Sequence, residues 1–67
     1  MIDFSPLHKT LEEKDMVISE MRDVILHPQT IAKINKNLDV NLSTIEKICV
    51  YLNVPIEKVV RIVPDAE

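Results

Sequence analysis

His27-Pro28-Gln29-Thr30-Ile31-Ala32-Lys33-Ile34-Asn35-Lys36-Asn37 is the stretch that decides how this chain is read. At about 3.6 residues per turn, Ile31, Ile34 and Leu38 fall on one side of a helix, with Gln29, Lys33 and Lys36 opposite. Pro28 suits the first helical position, where its missing N–H costs nothing. The apolar side fits a core. The other side combines an amide, which can pair bidentately with adenine, with cations that reach guanine or a phosphate. Such residues also serve as ordinary solvated surface, so the reading depends on what surrounds them.

The surroundings are those of a small domain. Sixty-seven residues support a single folding unit with little stability in reserve. It is read as one domain, 1–67, with an N-terminal arm at 1–4 and an extended C-terminal tail at 62–67. One Cys excludes an internal disulfide and fits a reducing compartment. No signal-like segment or membrane-length apolar run is present, and the expected location is the cytoplasm. The net charge is −3, whereas nucleic-acid-binding domains are usually basic. The distribution softens this: residues 1–25 hold three cations against six acids, but residues 26–50 hold three against two. No acid lies between Leu26 and Leu38, and local sign governs a groove contact.

Working outward, the periodicity predicts five short helices. Ile2-Asp3-Phe4 alternates like a short strand or extended arm, and Ser5-Pro6 then caps and opens the first helix, with Leu7 and Leu11 on one face. A second helix is expected from Ile18 to Ile25, with Met21, Val24 and Ile25 as its apolar stripe. Leu26-His27 then makes a tight turn into the third. Asn37, Asp39 and Asn41 mark a loop. Ser43-Thr44-Ile45-Glu46 reads as a capping box opening a fourth helix, with Leu42, Ile45, Ile48, Cys49 and Leu52 on one face. A fifth helix follows Pro55, with Ile56, Val59 and Val60 inward, and Arg61-Ile62-Val63-Pro64 leaves it extended.

Phe4-Ser5-Pro6-Leu7, Asp15-Met16, Pro28-Gln29-Thr30-Ile31-Ala32-Lys33-Ile34, Ile45-Glu46-Lys47-Ile48-Cys49 and Val63-Pro64-Asp65 occur in an order and spacing that resembles the Cro and phage-repressor type of helix-turn-helix regulator, in its short stand-alone bacterial form. The resemblance spans nearly the whole chain. It implies an all-α, repressor-like fold that reads double-stranded DNA with its third helix in the major groove. Gln29 and Lys33 then face base edges, Thr30 a phosphate or thymine methyl, and Asn35, Lys36 and Asn37 the backbone, with Pro28 opening the helix.

Three departures stand out. The family usually has Gly between helices two and three; here one residue is missing, and Ile25-Leu26-His27 must turn without it. A differently built turn is expected, one that tolerates a Gly inserted between Ile25 and Leu26. Val17 and Ile18 replace a Thr cap and a phosphate-touching polar residue, and His27 replaces a Ser or Thr cap. These changes bear on DNA affinity more than on fold.

Other chemistries find little support. His8, His27 and Cys49 do not make a four-ligand metal set, so no metal or cofactor is expected. His27 reads as a cap or turn residue, and Cys49 as a small core residue. Glu12 and Glu13 point to different faces, and nothing implies catalysis or a small-molecule ligand. The expected function is transcriptional regulation by sequence-specific DNA binding. A homodimer is expected through the extended termini, although the same termini could instead pack on their own subunit. The alternative function is a protein-interaction module on the same scaffold, favoured by the acidic first half and the apolar Ile18.

Overall fold

The computed structural model describes residues 1–64. The chain runs through strand β1 (Ile2–Asp3), helix α1 (Ser5–Glu13), a 3-10 helix (Ile18–Met21), helix α2 (Pro28–Asn35), helix α3 (Leu42–Leu52), a second 3-10 helix (Ile56–Lys58) and strand β2 (Arg61–Ile62). The all-α expectation stands, but the count of five helices does not: the described residues form three α-helices and two single-turn 3-10 helices. The expected third helix is thus α2, and the fourth is α3.

The second predicted helix fails for a physical reason. The Met21 carbonyl accepts the N–H groups of Val24, Ile25 and Leu26, at 3.2, 3.1 and 3.0 Å, so the chain folds back after Met21 instead of winding on. This brings Leu26 into the core at 2% exposure and leaves Val24 in solvent. Burying both Met21 and Leu26 outweighs the helical stripe that periodicity suggested. The fifth helix stops after one turn because Arg61 and Ile62 must be extended to pair with β1.

The core comprises Phe4, Leu7, Leu11, Met21, Leu26, Ile34, Ile45, Ile48, Leu52 and Val59. Leu38, Leu42 and Ile56, all expected inside, are exposed. Two caps also differ. Phe4, not Ser5, is the residue preceding α1; Asp3 Oδ1 accepts both the Ser5 N–H at 3.0 Å and the Ser5 hydroxyl at 2.7 Å. The Ser43–Glu46 box is absent because α3 starts at Leu42. The extended backbone that such a box needs at Ser43 belongs to Asn41.

The chain contains no Gly, yet among the described residues four adopt left-handed backbone: Asp15, Asp23, Asn37 and Asn53, with φ between 55° and 62°. All are Asp or Asn, the non-Gly residues best suited to it. Asp15, Asn37 and Asn53 terminate α1, α2 and α3. In each case the next residue's N–H reaches back to a carbonyl in the last turn, as in Met16 to Leu11, Leu38 to Lys33 and Val54 to Cys49. Asp23 does the turning between the first 3-10 helix and α2, the task expected of Ile25-Leu26-His27.

The arm and tail pair with each other. β1 and β2 are antiparallel, with Ile2 opposite Ile62 and Asp3 opposite Arg61. The Met1 ammonium donates to the Val63 carbonyl at 2.6 Å, and Val63 N–H returns to Met1 at 2.8 Å. Of the two readings of the termini, this is packing on their own subunit. Residues 65–67 of the expected tail, with Asp65 of the Val63-Pro64-Asp65 match, lie outside the described residues.

Candidate nucleic-acid interface

Helix α2 is built to begin and end sharply. His27 sits before it in extended backbone, and its Nδ1 accepts the Gln29 N–H at 3.2 Å. This is the bond a Ser or Thr cap would make, so the imidazole does the expected work with a ring nitrogen carrying a lone pair. Pro28 takes the first helical position. Ile34 is fully buried and Ile31 packs against the core, which fixes the rotation of the helix. Gln29, Lys33, Asn35 and Lys36 are consequently exposed, with Pro28 and Thr30 half-buried. Among the described residues, Lys33 and Lys36 form no ion pair. Their position in and just after the last turn also suits the negative end of the helix dipole.

Asn37 has a second task that the sequence reading did not assign it. Its φ of 55° ends α2, and its Oδ1 accepts the Phe4 N–H at 2.9 Å. Its acceptor oxygen is therefore engaged with the N-terminal arm. The arm is held by Asp3, whose Oδ2 accepts from Arg61 Nε at 2.7 Å. The paired hydrogen bonds from Ser5, then Arg61, hold the Asp3 carboxyl down to about 2. The six other expected residues lie on α2 and its C-terminal cap, Lys36.

Upstream, Val17 occupies the cap of the first 3-10 helix with no side-chain acceptor, and its own N–H donates to Glu20 Oε2 at 2.7 Å. Sequence reasoning passed over Arg22, an exposed cation in the connection leading to α2. Its signal was present: it is the only arginine in the first sixty residues. Cys49 is half-buried and free, and burial raises its thiol above the ordinary value. Among the described residues no group of three or more His, Cys, Asp or Glu could hold a metal ion, and no helix is long and apolar enough to cross a membrane.

A short turning element, a tight connection and a well-capped helix with a polar outer face define a helix-turn-helix protein. The chain belongs to the Cro/C1-type helix-turn-helix DNA-binding domain family, whose model matches residues 6–65. It is similar to the transcriptional regulator VanUg in crystal form II, with a TM-score of 0.89 and 31% identity over 96% of this chain and 87% of that one. No curated protein matches the chain. Family and neighbour are those of a regulator rather than an enzyme.

Proposed function

We propose that this protein is a sequence-specific DNA-binding regulator of transcription that lays α2 in the major groove. The observation that carries the reading is the outer face of α2, where Gln29, Lys33 and Lys36 are exposed beside a buried Ile34. Gln29, in the first turn of α2, and Lys33, one turn further on, read base edges; Thr30 reaches a phosphate or thymine methyl; Asn35 and Lys36 meet the backbone. Arg22 adds a phosphate contact from the preceding connection. Asn37 serves the interface mainly by holding the end of α2 to the arm. The protein works in the cytoplasm, where DNA and reducing conditions for Cys49 coexist.

Selection from random duplex DNA, followed by a gel shift on the recovered sequence, tests this. An enriched motif whose binding weakens as salt rises supports it. Failure to bind any duplex at low salt overturns it. The second reading, a protein-interaction module, is favoured by Val17 and Val24, both exposed in the segment before α2, where polar phosphate contacts would be expected. It would be supported by the same failure.

A further inference from the structure

The main-chain donors in the first turn of α2 end on a single residue. Pro28 has no N–H to place. The Gln29 N–H donates to His27 Nδ1 at 3.2 Å, and the N–H groups of Thr30 and Ile31 donate to the His27 carbonyl at 2.9 and 3.1 Å. Of the three α-helices among the described residues, α2 is the one whose cap residue closes it with its own side chain. Phe4 before α1 and Asn41 before α3 make no such bond.

An imidazole accepts only through an unprotonated nitrogen. The bond to Gln29 therefore needs a neutral His27 ring with its proton on Nε2. Once protonated, both ring nitrogens are donors, and a donor then faces a donor. The added positive charge also sits at the positive end of the helix dipole. Histidine is the side chain that ordinarily changes charge between about pH 5 and 8, whereas a Ser or Thr cap has no such dependence. His27 is exposed, so protons reach it. The charged residues nearest it in the chain are Arg22 and Asp23 on one side and Lys33 on the other, and among the described residues none of them pairs with the ring. Asp3, held down to about 2, and the Cys49 thiol, pushed up by burial, titrate outside this window; the other imidazole, His8, lies on α1.

We propose that His27 is a pH-responsive clasp on the candidate recognition helix: when neutral it closes the first turn of α2, and when protonated it releases the Gln29 main chain. The turn that loosens is the one that carries Gln29, the residue proposed to read a base edge. His27 is not part of the core, so acidification blurs recognition there while the fold persists. The link to recognition rests on the proposed function; the clasp itself does not.

Amide exchange and imidazole nitrogen shifts of the full chain, free of DNA, measured by NMR from pH 8 to pH 5, test the clasp. The ring should carry its proton on Nε2 at pH 8. The Gln29 protection factor should fall about 3- to 30-fold on acidification, the equivalent of a lost cap. In His27→Ser and His27→Asn it should stay level, since those caps do not titrate. A wild-type protection factor that ignores pH overturns the proposal, and so does an equal fall in the two variants. On duplex DNA carrying the selected site, the wild type's preference at the base pair read by Gln29 should drop several-fold from pH 8 to pH 5, while His27→Ser keeps it. A preference that holds steady as the protection factor falls overturns the link to recognition. Failure of the wild type to bind any duplex overturns the proposed function instead, and the exchange data still decide the clasp.

Discussion

Asn37 at the end of α2 accepts the main-chain N–H of Phe4, 33 residues away, at 2.9 Å. One side chain thus ends the candidate recognition helix and fixes the arm that starts the first helix. Phe4 is fully buried, so losing Asn37 leaves its N–H without its protein acceptor. Asp3, one residue earlier, caps α1 and binds Arg61. The end of α2, the start of α1 and β2 are therefore joined through three consecutive residues, Asp3, Phe4 and Ser5.

Asn37→Ala should destabilise the fold by about 2–4 kcal/mol, combining an unsatisfied buried N–H with the cost of left-handed backbone. Asn37→Gly should lose only the first part, about 1–3 kcal/mol. Asn37→Asp, which keeps both an acceptor and tolerance of the left-handed region, should lie within about 1 kcal/mol of wild type. Urea unfolding without DNA measures all three. Equal losses for Gly and Asp would remove the Phe4 bond as the cause.

Asp3 predicts an acid transition with a definite sign. Its folded value, about 2, lies below the ordinary 3.8, so the folded state favours the carboxylate. The stability it contributes is fully present above about 4 and is lost as pH falls from there towards 2. Asp3→Asn should flatten the pH dependence of stability in that window and lower stability at neutral pH. Thermal melts of both proteins from pH 2 to 7 provide the comparison.

Asp23 carries the turn into α2 at φ 62°. Asp23→Gly should be neutral or stabilising, and Asp23→Val should cost about 1–2 kcal/mol. The sequence suggested instead that a Gly could be inserted between Ile25 and Leu26. The structure reverses this: Leu26 is in the core and its carbonyl accepts the Asp23 N–H at 2.8 Å, so an insertion there displaces a buried side chain. It should cost several kcal/mol, about the worth of burying Leu26. Chemical denaturation of the three variants separates these outcomes.

On duplex DNA carrying the selected site, Lys36→Ala should reduce the salt slope of binding by about one. Gln29→Ala should leave that slope unchanged while relaxing sequence preference, at about 1–3 kcal/mol for the correct base pair. A Gln29→Ala protein with unaltered preference would remove Gln29 from base reading. Fluorescence anisotropy across a salt series and a set of single-base variants reads both.

His27→Ala should cost about 0.5–2 kcal/mol through loss of the α2 cap, and His27→Ser should restore most of it. Amide hydrogen exchange at Gln29 and Thr30 reports the cap directly: faster exchange in the Ala variant is expected, while unchanged exchange would show that the cap contributes nothing.

The chain's local periodicity determined much of this. Pro28, the 31/34 apolar pair and the acid-free stretch beyond Leu26 were enough to predict α2, its buried side and its outward Gln29, Lys33 and Lys36. Helix periodicity and start signals act within a turn or two, so a linear reading captures them. His27 as a cap was legible for the same reason.

Contacts between distant residues decided the rest. Nothing near Asn37 in sequence announces Phe4, and nothing near Ile62 announces Ile2; those bonds exist only once the core has brought the segments together. Val24 and Leu26 exchanged places because burial is settled by the space between elements, and a short amphipathic stretch gives way when folding back buries more. Leu42 has the periodicity of a core residue, and α3 does present it near the edge of its buried side, but no element of the same chain covers it. Periodicity assigns a side chain to a face of its helix; whether anything lies against that face is fixed only by the tertiary structure.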